Sequence, residues 1–197
     1  MDAQFAIAGK SFAISVTDKG VAHSIVKMKH NADKTYELTP HTLMSVTGVP
    51  GDTSNFSEYI QGNVRLYGIR NSQNLSPSET ASFIRGELAN ALRSRRPKQV
   101  NMLVMGYDKN TKESSLYWID YLSAIAKIPY AAHGHCSYFV LSVMDREYNP
   151  DITLEQGFEI IKKCIAAVKM RFPINFSDYT IKVVDSDGVR EVEMADI

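Results

Sequence analysis

Residues 130–139 read YAAHGHCSYF and place His133, His135 and Cys136 within four positions, in a chain with only five histidines and two cysteines. These are side chains that a zinc ion or a thiol hydrolase uses. A structural zinc site takes four ligands, commonly as spaced pairs, and no CxxC or HxxxH elsewhere completes one. Neither a metal nor a cofactor is expected. A Cys–His hydrolase needs its base beside the thiol and a third residue to orient that base. In extended backbone, His133 and His135 would face one side and Cys136 the other. Two readings stand for Cys136: a reactive thiol, and a small buried thiol where a strand meets a helix. The second is the commoner fate of a free cysteine.

Other charged residues are open to similar pairs of readings. Asp18 and Lys34 form either a functional pair or a surface ion pair, and spacing does not decide. RSRRPK, residues 93–98, fits a nucleic-acid patch or a nuclear address, but cations also suit the end of a helix. The acidic residues Asp185, Asp187, Glu191, Glu193 and Asp196 fit a solvated hairpin and tail. The sequence contains no phosphate-cradling GxxxxGK[ST], no GxGxxG and no GxSxG.

The elements that must position these residues follow from periodicity. FAIAGKSFAISVTD (5–18) has two apolar runs broken at Gly9-Lys10, the pattern of a hairpin. HSIVKMK (23–29), KTYELT (34–39) and TLMSVTG (42–48) continue a strand series. From Asp52 the period changes, and Phe56, Tyr59, Ile60, Val64 and Tyr67 mark one face of a helix. Ser76, Pro77 and Glu79 open a second helix with a capping box, its buried stripe being Phe83, Ile84, Leu88 and Leu92. Strands return at 99–108 and 114–120, then shorter ones at 124–127 and 130–134. A compact helix spans 137–148. Thr153 and Gln156 cap another, with Leu154, Phe158, Ile161, Ile165 and Val168 on one stripe. Strands at 179–185 and 189–194 flank a turn at Ser186-Asp187-Gly188. Strand runs alternating with helix pairs predict an α+β fold: two sheets face to face, a helix pair on each outer side.

Composition sets the outer bounds. A chain of 197 residues suits one domain spanning 1–197 and buries roughly 70% of its unfolded surface. Lys plus Arg and Asp plus Glu are 22 each, so the formal net charge is zero. That disfavours a nucleic-acid footprint and gives copies no mutual repulsion, which fits a subunit better than a free monomer. No signal peptide or membrane span is expected. A reducing, intracellular setting is expected from two cysteines without a disulfide framework.

The order of elements resembles the four-layer αββα sandwich of the N-terminal-nucleophile hydrolases. The wording narrows it. TLMSVTGVPGDTSNFSEYIQ (42–61), LSPSETASFIRGELANALRSRRPKQVNMLVMGYD (75–108), IDYLSAIAKIPYAAHG (119–134) and VVDSDGVREV (183–192) are similar to β-type subunits of the eukaryotic 20S proteasome, essentially end to end. In that family, active members attack the peptide bond with an N-terminal threonine whose own α-amine is the base. A lysine tunes the pKa, an aspartate supports the lysine, and a glycine amide serves the oxyanion. A serine in a Gly-Ser-Gly turn and a later aspartate and serine complete the set.

Carried over residue by residue, the resemblance implies a degenerate site. Counting back from VTD, Asp18 takes the place of the supporting aspartate and Asp2 that of the nucleophile. Only Met1 precedes Asp2, so no propeptide is expected. Lys34 matches the lysine and Gly48 the oxyanion glycine. His135 stands where the turn serine belongs, with Cys136 in place of a glycine. Phe172 falls at the later aspartate and Asn175 at the later serine. A carboxylate at position 2 is a poor nucleophile for an amide. The resemblance therefore implies a non-catalytic subunit of a threonine protease. Its partners would be β subunits of the same and opposite rings and α subunits, in cytoplasm and nucleus, with neither nucleic acid nor membrane. The rival reading is an active hydrolase using Cys136 or an unprocessed N-terminus.

Overall fold

The computed structural model describes residues 3–23, 26–171 and 178–194. Its strands are β1 (Gln4–Ala8), β2 (Ala13–Asp18), β3 (Val21–His23), β4 (Val26–Lys29), β5 (Thr35–Thr39) and β6 (Thr42–Gly48). Two helices follow, α1 (Pro50–Asn71) and α2 (Pro77–Leu92). Then come β7 (Val100–Asp108), β8 (Glu113–Ile119), β9 (Ile125–Lys127) and β10 (Tyr130–His133). Helices α3 (Ser137–Glu147) and α4 (Leu154–Arg171) precede β11 (Tyr179–Asp185) and β12 (Gly188–Val192). One antiparallel sheet has the order β10-β1-β2-β11-β12 and the other β5-β6-β7-β8-β9, while β3 and β4 pair separately.

Three apolar layers hold the stack together. Phe5, Ile7, Ile14, Val16, Ile181 and Val183 of the first sheet pack against Val140, Met144, Ile161, Cys164, Ile165 and Val168 of α3 and α4. Met44, Val46, Met102 and Val104 of the second sheet pack against Phe56, Ile60, Val64, Ile84 and Leu88 of α1 and α2. Between the sheets lie Ala6, Ala8, Ala13, Leu43, Leu103, Met105, Leu116, Ala131 and Val184. Strands β1 and β2 are buried on both faces. Their alternation sets large apolar side chains against small or polar ones. Phe5, Ile7, Ile14 and Val16 face the helices, while Ala6, Ala8 and Ala13 face the opposing sheet and let it approach, with Gln4, Ser15 and Thr17 on that same face.

The caps set where helices start, and burial holds them in place. At α2, Glu79 N–H donates to Ser76 Oγ (3.3 Å), and Ser76 N–H donates to Glu79 Oε2 (2.8 Å). At α4, Thr153 and Gln156 exchange the same pair of bonds, at 2.9 and 3.3 Å. A cap contributes about 1 kcal/mol. Ile160, Ile161, Ile165 and Val168 of α4 are buried, and each contributes about 1.5–3 kcal/mol.

Four expectations change. The run 23–29 is not one strand: β3 ends at His23 and β4 starts at Val26, pairing antiparallel with a register shift at Val21/Ala22. Tyr59 and Tyr67 fit the helical period but stay 49% and 44% exposed on the flank of α1. Tyr59 instead reaches α2, its hydroxyl donating to Glu87 Oε2 at 2.9 Å. Leu92 ends α2 exposed. The basic run 93–98 follows α2 instead of closing its last turn, and its Lys98 pairs with Asp52 at the start of α1 (3.2 Å).

Candidate functional site

One end of the first sheet brings Asp18 and Lys34 together beside Gln4 and His133. Gln4 at the start of β1 stands between His133 of β10 and Thr17 of β2. One step further, Asp18 N–H donates to the Ala3 carbonyl (3.0 Å) and Ala3 N–H donates to Asp18 Oδ1 (2.7 Å). Asp18 Oδ2 accepts from Gly20 N–H (3.1 Å) and from Lys34 Nζ (2.9 Å), and Lys34 Nζ also donates to the Gly20 carbonyl (2.7 Å). The side chains of Lys34 and Asp18 are 13% and 1% exposed. The pair is thus internal, and its reading as a surface ion pair gives way. Desolvation is offset because both carboxylate oxygens are engaged by donors, one of them charged.

Lys34 leads into β5, and its carbonyl accepts from Val46 N–H at 3.0 Å, two residues before Gly48. Gly48 ends β6 opposite Val100, at φ +148°. A Cβ there would lie 2.1 Å from the Gln99 carbonyl oxygen, so both conformation and space require glycine. The next residue fixes the corner: Val49 N–H donates to the Gln99 carbonyl (3.1 Å) and Pro50 opens α1.

The histidine–cysteine cluster is pulled apart. β10 ends at His133, Gly134 turns at φ +79°, and Cys136 occupies the position before α3. Strand alternation therefore does not extend past His133, and the expectation that His133 and His135 share a side fails. His133 is 6% exposed and stacks on Trp118, with ring centroids 5.1 Å apart and planes at 18°. Its Nε2 lies 3.1 Å from the Met102 carbonyl. A carbonyl only accepts, so Nε2 carries the proton. Burial pushes the His133 pKa down to about 4, outweighing that hydrogen bond. His135 is exposed.

Cys136 is fully buried in the layer under α3 and α4, its thiol directed at the carbonyls of His133 (3.3 Å) and Gln4 (3.8 Å). That is the geometry of a structural thiol, and the hydrolase reading built on Cys136 loses its exposed nucleophile. Cys164 shares the layer, and burial, with the nearby Cys136 second, pushes its thiol up to about 12.

Of the seven positions carried over from the family, Asp18, Lys34, Gly48 and His135 are described. Asp2, Phe172 and Asn175 lie outside the described residues. Asp18 and Lys34 touch, and Gly48 ends the strand against which Lys34 is bonded. Together these groups hold a strand start, a charge pair and a corner. Among the described residues no three His, Cys, Asp or Glu side chains gather as a metal site would need, and no helix is long and apolar enough to cross a membrane. Sequence reasoning missed Gln4, whose Nε2–H donates across to Ser45 Oγ at 2.6 Å. The available signal was a glutamine heading an otherwise apolar strand.

Comparison with known proteins gives the family. A family model described as proteasome subunit matches residues 3–184. The chain is 46% identical over 196 residues to the probable proteasome subunit beta type-4 of Neurospora crassa, covering 100% of this chain and 97% of that one. It is 44% identical over 193 residues to the proteasome subunit beta type-4 of Saccharomyces cerevisiae, with 98% of each covered. It is also 44% identical over 191 residues to the proteasome subunit beta type-2-B of Arabidopsis thaliana, covering 97% and 95%.

Proposed function

Because the chain belongs to the proteasome subunit family, we propose that it is a non-catalytic β subunit of the 20S core particle, of the kind numbered four in fungi and two in plants. Its work is shape. It fills one place in a β ring and contacts β neighbours in that ring, subunits of the opposite β ring and an α subunit. The partners carry out threonine proteolysis, and the particle serves protein degradation in cytoplasm and nucleus.

One observation carries the reading. The supporting frame is intact, with Asp18 and Lys34 bonded at 2.9 Å, yet position 2, which counting back from Asp18 assigns to the nucleophile, is an aspartate. A carboxylate lacks the hydroxyl that becomes the acyl ester, so the frame persists for packing. Leu66, Tyr67 and Ile69 stand exposed along the second half of α1, apolar surface that suits a chain built into an assembly.

Isolation of the tagged chain from its cells, followed by native mass spectrometry and treatment with an electrophilic peptide aimed at N-terminal threonines, tests the reading. The chain is expected in a particle of many different subunits whose peptidase activity is blocked while this chain stays unmodified. Covalent labelling of this chain, or its recovery as a free monomer, contradicts the proposal.

A further inference from the structure

The layer between the sheets changes character along its length. At one end it is Ala6, Ala8, Ala13 and Ala131 against leucines and Met105. Toward the Asp18 end the same face becomes polar. His133, Gln4, Thr17 and Thr180 are register partners in one row across β10, β1, β2 and β11. Partners in register share a face of the sheet, and the bond from Gln4 Nε2 to Ser45 shows which face it is: the one toward the other sheet. Ser15 lies one row in, opposite Lys182, whose Nζ reaches Asp33 Oδ2 at 3.0 Å.

Gln4, Ser15, Thr17 and Thr180 are 1%, 0%, 0% and 2% exposed. Among the described residues, Gln4 Oε1, Ser15 Oγ, Thr17 Oγ1 and Thr180 Oγ1 have no hydrogen-bond partner. One such atom is a local irregularity. Four on three adjacent strands, facing one way, form a cluster that needs a ligand. We propose that the polar end of the inter-sheet layer is a built binding site for ordered water, with Gln4, Ser15, Thr17 and Thr180 as its ligands. The chemistry selects water. Gln4 Oε1 only accepts, which excludes an anion, and the Lys182 ammonium one row away disfavours a cation. Hydroxyls both donate and accept, so water, which does both, satisfies them; with strands about 4.8 Å apart, four ligands on three strands take more than one water. The water stitches β1, β2 and β11 together directly behind the Asp18–Lys34 pair and replaces there the apolar contact that joins the sheets elsewhere.

A density map of the particle containing this chain, at a resolution where surface waters are resolved, is expected to show peaks within hydrogen-bond distance of Thr17 Oγ1, Thr180 Oγ1 and Gln4 Oε1. Thr17→Val and Thr180→Val keep side-chain shape and remove a water ligand. Each is expected to raise the chain's unfolding equilibrium constant about tenfold, as a buried group left unpaired does. Thr180→Ser, which keeps the hydroxyl, is expected to retain the peaks. Absence of peaks in the unaltered chain overturns the proposal, as does a valine variant at least as stable as the parent. If the valine variants do not assemble, the map of the unaltered chain decides alone.

Discussion

At Asp18 a carboxylate with 1% of its side chain exposed accepts two backbone amides and one ammonium. Asp18→Ala takes the carboxylate away from the Lys34 ammonium and from the Ala3 and Gly20 amides. It is expected to destabilise the chain by about 3–5 kcal/mol, as removing one partner of a buried pair does. Adding Lys34→Met should recover part of the loss, read from urea midpoints; no recovery would mean that the amide bonds, not the charge, dominate. His133 gives a pH signature. Above pH 6.5 it is neutral in folded and unfolded chains alike. Between 6.5 and about 4 the unfolded chain takes a proton that the folded chain refuses, so stability falls as pH drops. The full loss is about 3 kcal/mol at 1.36 kcal/mol per pKa unit. Urea titrations at pH 7 and pH 4.5 should differ by less in His133→Gln than in the parent. The sequence presented Asp18 and Lys34 as a pair without a depth, since burial comes from strands brought together later. It presented Cys136 as a thiol with two readings, and only the turn at Gly134, after β10 ends at His133, shows that Cys136 enters the layer under α3 and α4.

Elements were most legible where a few adjacent residues decide them. The capping boxes at Ser76 and Thr153 are local chemistry and stand as read. Gly48 was marked by family resemblance, and its geometric necessity appears only with Gln99 beside it. Gly48→Ala is expected to cost at least about 1–3 kcal/mol in backbone strain alone, because φ is +148° and a Cβ would meet the Gln99 oxygen at 2.1 Å. Gly62, inside α1 with nothing within 4 Å of where a Cβ would stand, gives the contrast: Gly62→Ala should stabilise by about 0.4–1 kcal/mol. Denaturation midpoints of the two variants should move in opposite directions. Where the sequence misled, tertiary context was responsible. Tyr59 and Tyr67 match the helical period, but α1 presents to its sheet a narrower stripe than the period allows, namely Phe56, Ser57, Ile60 and Val64. The run 23–29 alternates like one strand, and nothing in that alternation marks the break between β3 and β4.

The whole molecule is a stack whose order was legible because strand runs and helix pairs alternate along the chain. Its interior chemistry was less so: the polar end of the central layer comes from β1, β2 and β11, the last more than 160 residues from the others. The stack also distributes its thiols unevenly. The two cysteines both lie in the layer beneath α3 and α4, and the other two layers hold none. A small alkylating reagent therefore acts as a clock on one seam. With Cys164 held near 12 and Cys136 fully buried, modification waits for that seam to part, and the rate counts openings of the helix pair away from the first sheet. Both sulfurs should be modified together, faster as urea is raised below the midpoint. Modification of Cys136 alone in the folded chain would mean that α3 lifts without α4. Comparing that clock before and after incorporation into the particle would measure how far neighbouring subunits lock this seam shut, without any engineered probe.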